Sequence, residues 1–225
     1  MSEFVKRVLS GILYVVILLS ATIYSQISYT VLFVILGLFC LFEMWMLRKG
    51  KPKLIPFIYV LTPFFIVQLF GFTDHNYPLK EFDSSPILVL LVLTWVFDSF
   101  AYIIGSKFGK NRIMPKISPK KSWEGFFGGM AFTVLSVYFL NIFFDSFSMN
   151  FLLLLALIVP FTATAGDLIE SHYKREAGVK DSGNLIPGHW GFLDRMDALM
   201  LSIPVLYLLI NILKWKYIKK ATQRY

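Results

Sequence analysis

MNFLLLLALIVPFTATAGDLIESHYKREAGVKDSGNLIPGHWGFLDRMD, residues 149–197, runs from an apolar segment into a charged one without an intervening helix stop. Residues 149–166 carry no charge and, at about 1.5 Å per helical residue, cross most of a bilayer core about 30 Å thick. Nothing breaks the helix before Gly178, so the same rod continues past the membrane boundary. On it Asp167, Glu170, Ser171 and Lys174 recur at i, i+3, i+4 and i+7 and form one polar stripe. Gly178 suits the helix stop, with Lys174 and Arg175 in the last turn, where cations complement the dipole. The next span starts near Asp194, and Asp194 and Asp197 lie on one face of its first turn. A membrane helix that emerges into water, a charged loop and a returning membrane helix set the fold class.

Composition agrees with that class. Of 225 residues, 56% are hydrophobic and 16% charged, too few charges to cover a soluble domain of this length. Seven segments qualify as spans: 8–24, 29–47, 54–72, 86–105, 126–144, 149–166 and 198–213. The expected fold is an all-α, polytopic membrane helix bundle of about seven transmembrane helices. It divides into about three N-terminal helices over 1–85 and a region over 86–225 that carries polar loops 106–125 and 166–198. The first span is expected to be a retained anchor, because no small-residue cleavage site follows its apolar run. The single cysteine, Cys40, excludes an internal disulfide.

The net charge of +8 is placed beside the spans, where it sets topology and meets anionic lipid, not nucleic acid. Lys6 and Arg7 precede span one, Arg48, Lys49, Lys51 and Lys53 follow span two, and Lys107, Lys110, Arg112, Lys116, Lys120 and Lys121 follow span four. The intervening loops are uncharged or acidic, so the N-terminus, the basic loops and loop 166–198 are expected in the cytoplasm. The tail, with Lys214, Lys216, Lys219, Lys220 and Arg224, departs from this rule for seven spans. Either it violates the rule, or the last segment, which contains Pro204, does not cross fully.

Spans six and seven run antiparallel, so Asp167, Asp194 and Asp197 are expected at one depth, near the cytoplasmic boundary. Three carboxylates at one level suit a hard divalent ion, and Mg²⁺ takes oxygen ligands while sharing its site with substrate phosphates. The loop between them brings Lys180, Asp181 and His189 among Gly178, Gly183, Gly188 and Gly191, and glycines let backbone amides approach phosphates. The bland reading, a solvated loop with acids at a helix start, accounts for Asp194 alone but not for the whole set. Asp98 lies about 10 Å inside the end of span four at 1.5 Å per residue, a costly place for a carboxylate and so a functional candidate. Ser118–Pro119 reads as N-cap and first residue of the helix that becomes span five, crowding Lys120 and Lys121 at an anion-binding terminus; membrane anchoring explains those charges as well. Glu43, near the end of span two, is either boundary-exposed or a paired acid. The aromatic stripe Phe126, Phe127, Phe132 and Tyr138 is lipid-facing or packed between helices. No HExxH, CxxC, GxGxxG, Walker or Ser-His-Asp pattern occurs.

Taken together, Ser171, Lys174-Arg175, Lys180-Asp181, Gly183, Pro187, His189, Gly191 and Asp194-Arg195-x-Asp197 closely resemble the signature of the phosphatidate cytidylyltransferase family, spacing included. Gly166-Asp167-Leu168, Asp98-Ser99-x-Ala101-Tyr102-x-x-Gly105 and Ser118-Pro119-Lys120-Lys121-Ser122-Trp123-Glu124-Gly125 are similar to further motifs of that family. The resemblance is close over 98–197 and general in character before it. Trp190 stands where the family has glycine, Tyr173 replaces an aliphatic residue, and the region before span four is about two helices short.

The resemblance implies a catalytic region over 86–225 in which the phosphate oxygen of phosphatidic acid attacks the α-phosphorus of CTP and releases pyrophosphate. It implies Mg²⁺ on Asp167, Asp194 and Asp197, with a second cation such as K⁺ left open. Lys174, Arg175, Lys180 and Arg195 are then the expected phosphate contacts, Asp181 and His189 organise the loop, and Ser118, Lys120, Lys121, Ser171 and Asp98 lie on the substrate side. A homodimer, a bacterial-type plasma (inner) membrane and a cytoplasm-facing active site are implied in the same way. A CTP-dependent lipid kinase, a transporter using Asp98 and Asp167, and a lipid-binding homologue without activity are the competing classes. The acids cluster at one surface instead of along a path across the bilayer, which disfavours transport.

Overall fold

A computed structural model describes residues 3–71, 82–144, 146–183 and 191–212. Its elements are α1 (Glu3–Tyr24), α2 (Gln26–Leu47), α3 (Leu54–Gly71), α4 (Ser85–Phe108), β1 (Arg112–Met114), β2 (Ser118–Ser122), α5 (Trp123–Phe143), α6 (Met149–Glu176) and α7 (Leu193–Ile212). The fold is an all-α bundle with one short antiparallel ribbon between α4 and α5. Helices α2, α4, α5, α6 and α7 are long and apolar enough to cross a membrane, whereas the apolar parts of α1 and α3 are shorter. The tail residues from 213 onward lie outside the described residues.

Apolar runs become helices in a bilayer because only internal hydrogen bonds satisfy the backbone there. Serines set several of the starts. Ser25 and Ser28 form a reciprocal capping box on α2, and Ser148 accepts the Phe151 amide at the start of α6. As expected, α6 is one unbroken rod into the polar stripe. It ends at Glu176 with Ala177 as its C-cap, and Gly178 follows at φ +72°, a left-handed conformation that glycine adopts without a Cβ penalty.

The start of α5 differs from the sequence expectation. Ser118–Pro119 open a strand, not a helix, and β2 pairs with β1 in the register Arg112↔Ser122 and Met114↔Ser118. Proline is compatible with a two-stranded ribbon, where one edge of each strand is free. The cap is Ser122, extended at φ −128°, whose side chain accepts the Gly125 amide. The strand alternation turns Lys121 partly inward and leaves Lys120 exposed.

The bundle is apolar outside as well as inside: Leu38, Phe139 and Phe161 are 61%, 69% and 58% exposed, as lipid-facing side chains are. The aromatic stripe on α5 divides. Phe126 is buried and meets Phe97 edge-on at 5.8 Å, Phe132 stacks on Phe100 at 3.8 Å, and Phe127 and Tyr138 face outward.

Two close helix approaches position the polar end. Along α4 and α5, a Cβ at Gly125 would lie 2.6 Å from the Ala101 carbonyl oxygen, and one at Gly129 would lie 2.8 Å from that of Phe97. This is the small-residue packing typical of membrane helices. Between α6 and α7, a Cβ at Gly166 would collide with the carbonyl oxygen of Asp197, so the backbones touch where the acids begin. The Thr162 and Ser202 hydroxyls pair at 2.7 Å, and Tyr59 of α3 donates to the Gly166 carbonyl at 2.9 Å.

Arg48 pairs with Glu176, Lys51 donates to the Glu176 carbonyl at 2.6 Å, and Arg175 donates to the Ile117 carbonyl at 3.3 Å. Loop 48–53, the ribbon and the C-terminal end of α6 therefore share one end of the bundle, as the charge pattern required. Gly166→Ala is expected to wedge α6 from α7 and cost about 1–3 kcal/mol. Gly11→Ala, inside α1 where a methyl meets nothing within 4 Å, should leave the thermal unfolding midpoint in detergent no lower than the parent's; circular dichroism checks the pair.

Candidate functional site

The helix periodicity of α6 and its contact with α7 build the centre. Asp167 begins the polar stripe, Glu170 is one turn on, and Asp197 enters from α7 beside Gly166. Carboxylate oxygens of Asp167, Glu170 and Asp197 all lie within 4.8 Å of one another. Asp167 Oδ1 accepts the Ser171 hydroxyl at 3.0 Å, and its other oxygen pairs with the Lys121 ammonium from β2. Asp197 Oδ1 accepts the Ala198 amide at 2.6 Å.

A second set of contacts adjoins the first. Lys174 Nζ lies 2.5 Å from both Glu170 Oε2 and Asp194 Oδ1, a cation held between two acids. Asp194 Oδ2 accepts from the amides of Ser182 and Gly191 and from the Ser182 hydroxyl, each at 2.9 Å. The carboxylate of Asp194 thus closes the connection between α6 and α7. The triad within ligand reach among the described residues contains Glu170 in its place, although Asp194 still lines the cavity.

That cavity measures about 610 Å³, within the range of small-molecule sites. Its lining includes the acids Asp98, Asp167, Asp194 and Asp197, the bases Arg112, Lys120 and Lys121, the hydroxyl residue Ser118, and the apolar Phe97, Ala101 and Phe126. The ribbon is held by Glu124, whose carboxylate accepts from the amides of Lys110 and Asn111 and from the Asn111 side chain. Arg112 donates to the Lys120 carbonyl at 3.0 Å.

Several sequence candidates are placed elsewhere. Arg195 lies over the Tyr14 ring at 4.6 Å, a cation–π contact with α1, and Arg175 donates to the Ile117 and Val179 carbonyls. Lys180 is exposed and Asp181 half-buried, and neither lines the cavity. His189 and Trp190 lie outside the described residues. The sequence reading passed over Glu170 as a ligand, although its i+3 spacing from Asp167 was the available signal. It also left Glu43 open, and that residue is buried.

Three oxygen donors of this kind fit a hard divalent cation, and the Lys121 ammonium against Asp167 shows that the cluster attracts positive charge. The remaining basic groups suit phosphate oxygens.

Residues 8–213 match the cytidylyltransferase family. The chain is 43% identical over 142 residues to a phosphatidate cytidylyltransferase of Thermotoga maritima, covering 60% of this chain and 52% of that protein. It is 43% identical over 126 residues to one of Staphylococcus epidermidis and 44% identical over 126 residues to one of Staphylococcus aureus, each time covering 55% of this chain and 48% of the relative. The chain spans about half the length of the curated relatives it matches.

Mn²⁺ titration followed by electron paramagnetic resonance tests the acidic centre. Asp167→Asn, Glu170→Gln and Asp197→Asn are each expected to weaken binding by roughly tenfold or more. Binding of parental strength in all three would leave the cluster without a role as a ligand set.

Proposed function

The chain belongs to the cytidylyltransferase family, and from that premise we propose that it transfers a cytidylyl group from CTP to phosphatidic acid, giving CDP-diacylglycerol and pyrophosphate. The observation that carries the proposal is the meeting of Asp167, Glu170 and Asp197 at a cavity whose lining combines basic and apolar side chains. An anionic phosphate and an apolar tail need both kinds of lining.

In the proposed reaction a phosphate oxygen of phosphatidic acid forms a bond to the α-phosphorus of CTP. The bond from that phosphorus to the β-phosphate bridging oxygen breaks, and its electrons leave with pyrophosphate. The nucleophile is already anionic, so no strong general base is required. Rate enhancement then comes from positioning and charge neutralisation. Lys120, Lys121 and Arg112 face the phosphates from the ribbon. Lys121 is placed to exchange its carboxylate partner, Asp167, for a substrate oxygen. Lys174, fixed between Glu170 and Asp194, offsets the acids packed around it. Phe97, Ala101 and Phe126 offer an apolar surface to the glycerol end of the lipid, whose chains stay in the bilayer.

Asp167, Glu170 and Asp197 would hold Mg²⁺, with Asp194 beside them, and the ion supplies charge neutralisation of the triphosphate and the departing pyrophosphate when bound. Asp98, on α4 across the same cavity, is the acid placed to meet a second cation such as K⁺ or a sugar hydroxyl. Arg175 serves to dock α6 on the ribbon, and Arg195 to dock α7 on α1. The site faces the cytoplasm of a bacterial-type plasma membrane, a reading supported by the basic loops at its end of the bundle. A homodimer remains part of the proposal, and no nucleic-acid partner is included.

Purified protein in detergent, given phosphatidic acid, CTP and Mg²⁺, is expected to form CDP-diacylglycerol and pyrophosphate in equal amounts. Release of CDP in place of pyrophosphate would identify a kinase and overturn the reaction assigned. Asp167→Asn is expected to abolish turnover while the protein remains folded.

A further inference from the structure

Glu43 is the sole acid in α2, and its side chain is 2% exposed. A carboxylate buried in an apolar helix requires partners for its oxygens. Oε1 accepts the Phe192 amide at 3.0 Å; Oε2 accepts the Leu193 amide at 2.9 Å and the Ser182 hydroxyl at 2.7 Å. The two amides stand at the entry to α7, among the donors that a helix start leaves without internal partners. Glu43 therefore caps α7 from another helix. Ser182 Oγ also lies 2.9 Å from Asp194 Oδ2, so one hydroxyl proton is shared between two carboxylates.

The packing leaves this arrangement little freedom. A Cβ on Gly183 would come within 2.6 Å of Glu43 Oε1, and one on Gly191 would overlap both Glu43 Oε2 and the Ser182 hydroxyl. Both ends of the connection between α6 and α7 are thereby pinned to α2. Arg48, just after α2, pairs with Glu176 and pins the end of α6 to the same rod. Leu193 immediately precedes Asp194, and Asp197 lies one turn further on. Any shift of the first turn of α7 consequently moves both acids relative to Asp167 and Glu170.

We propose that Glu43 is a positioning residue for cytidylyl transfer: by capping α7 and sharing Ser182 with Asp194, it sets the height of the first turn of α7 and holds Asp197 against Asp167 and Glu170. The role rests on the cytidylyltransferase reading for its chemistry, while its geometry stands independently of that reading. A helix of general apolar character thus contributes a specific part of the site.

The test compares the parent with Glu43→Gln, Ser182→Ala and the double variant. Glu43→Gln keeps the volume but turns an N–H₂ toward groups that donate. Its kcat for CDP-diacylglycerol is expected to fall about 10- to 100-fold, and the Mg²⁺ concentration at half-maximal rate to rise. Backbone amide exchange at Ser182, Gly191, Phe192 and Leu193 should accelerate, with α4 and α5 unchanged. The double variant should fall no further than the worse single one, because both act through one network. Exchange of parental rate at those four amides, or kcat and half-saturating Mg²⁺ both within twofold of the parent, would overturn the role. Should Glu43→Gln fail to fold, Ser182→Ala decides alone: faster exchange at those amides supports the role and unchanged exchange overturns it. A parent that makes no CDP-diacylglycerol, while Glu43→Gln still speeds exchange at those amides and weakens Mn²⁺ binding, would sink the reaction and leave the positioning intact.

Discussion

Uncompensated charge is expensive at a membrane boundary, and this chain gathers Glu43, Asp167, Glu170, Asp194 and Asp197 there from three helices. Water cannot solvate all of them, so each is met by protein. Lys174 lies between Glu170 and Asp194, Lys121 pairs with Asp167, and amides of the α6–α7 connection and the entry to α7 satisfy Asp194 and Glu43. The rest of the architecture follows from keeping these partners in place. The ribbon delivers Lys121, the close α6–α7 approach delivers Asp197, and α2 fastens the connection.

The same arrangement accounts for the form of the cavity. Its acids come from α4, α6 and α7, and its bases from the ribbon between α4 and α5. Charges of both signs thus line one space bounded by separate elements, and Lys121 and Asp167 meet within it.

Lys174, Arg175 and Arg195 show how a motif distributes its labour. In sequence all three read as phosphate ligands. In the fold, Lys174 balances acids, Arg175 binds carbonyls of the ribbon and of the turn after α6, and Arg195 covers the Tyr14 ring. Positive charge beside an acidic centre can serve the scaffold, and one-dimensional spacing does not separate that use from ligand binding.

The amino-acid sequence by itself determined the helical membrane class, the unbroken passage of α6 from lipid into the polar stripe, and the common end shared by the basic loops and the charged end of α6. These follow from periodicity, span length and charge placement, which are local properties. It also marked Asp167 and Asp197 as partners, because antiparallel neighbours place their ends at equal depth. Tertiary structure alone decided that Glu170 joins them while Asp194 turns to the loop, that Ser122 and not Ser118 caps α5, and that Glu43 is buried under α7. The Glu43 contact joins residues 150 apart and the Lys174–Asp194 contact residues 20 apart, which no local pattern encodes; the Ser122 cap is local but was decided by the pairing of β2 with β1.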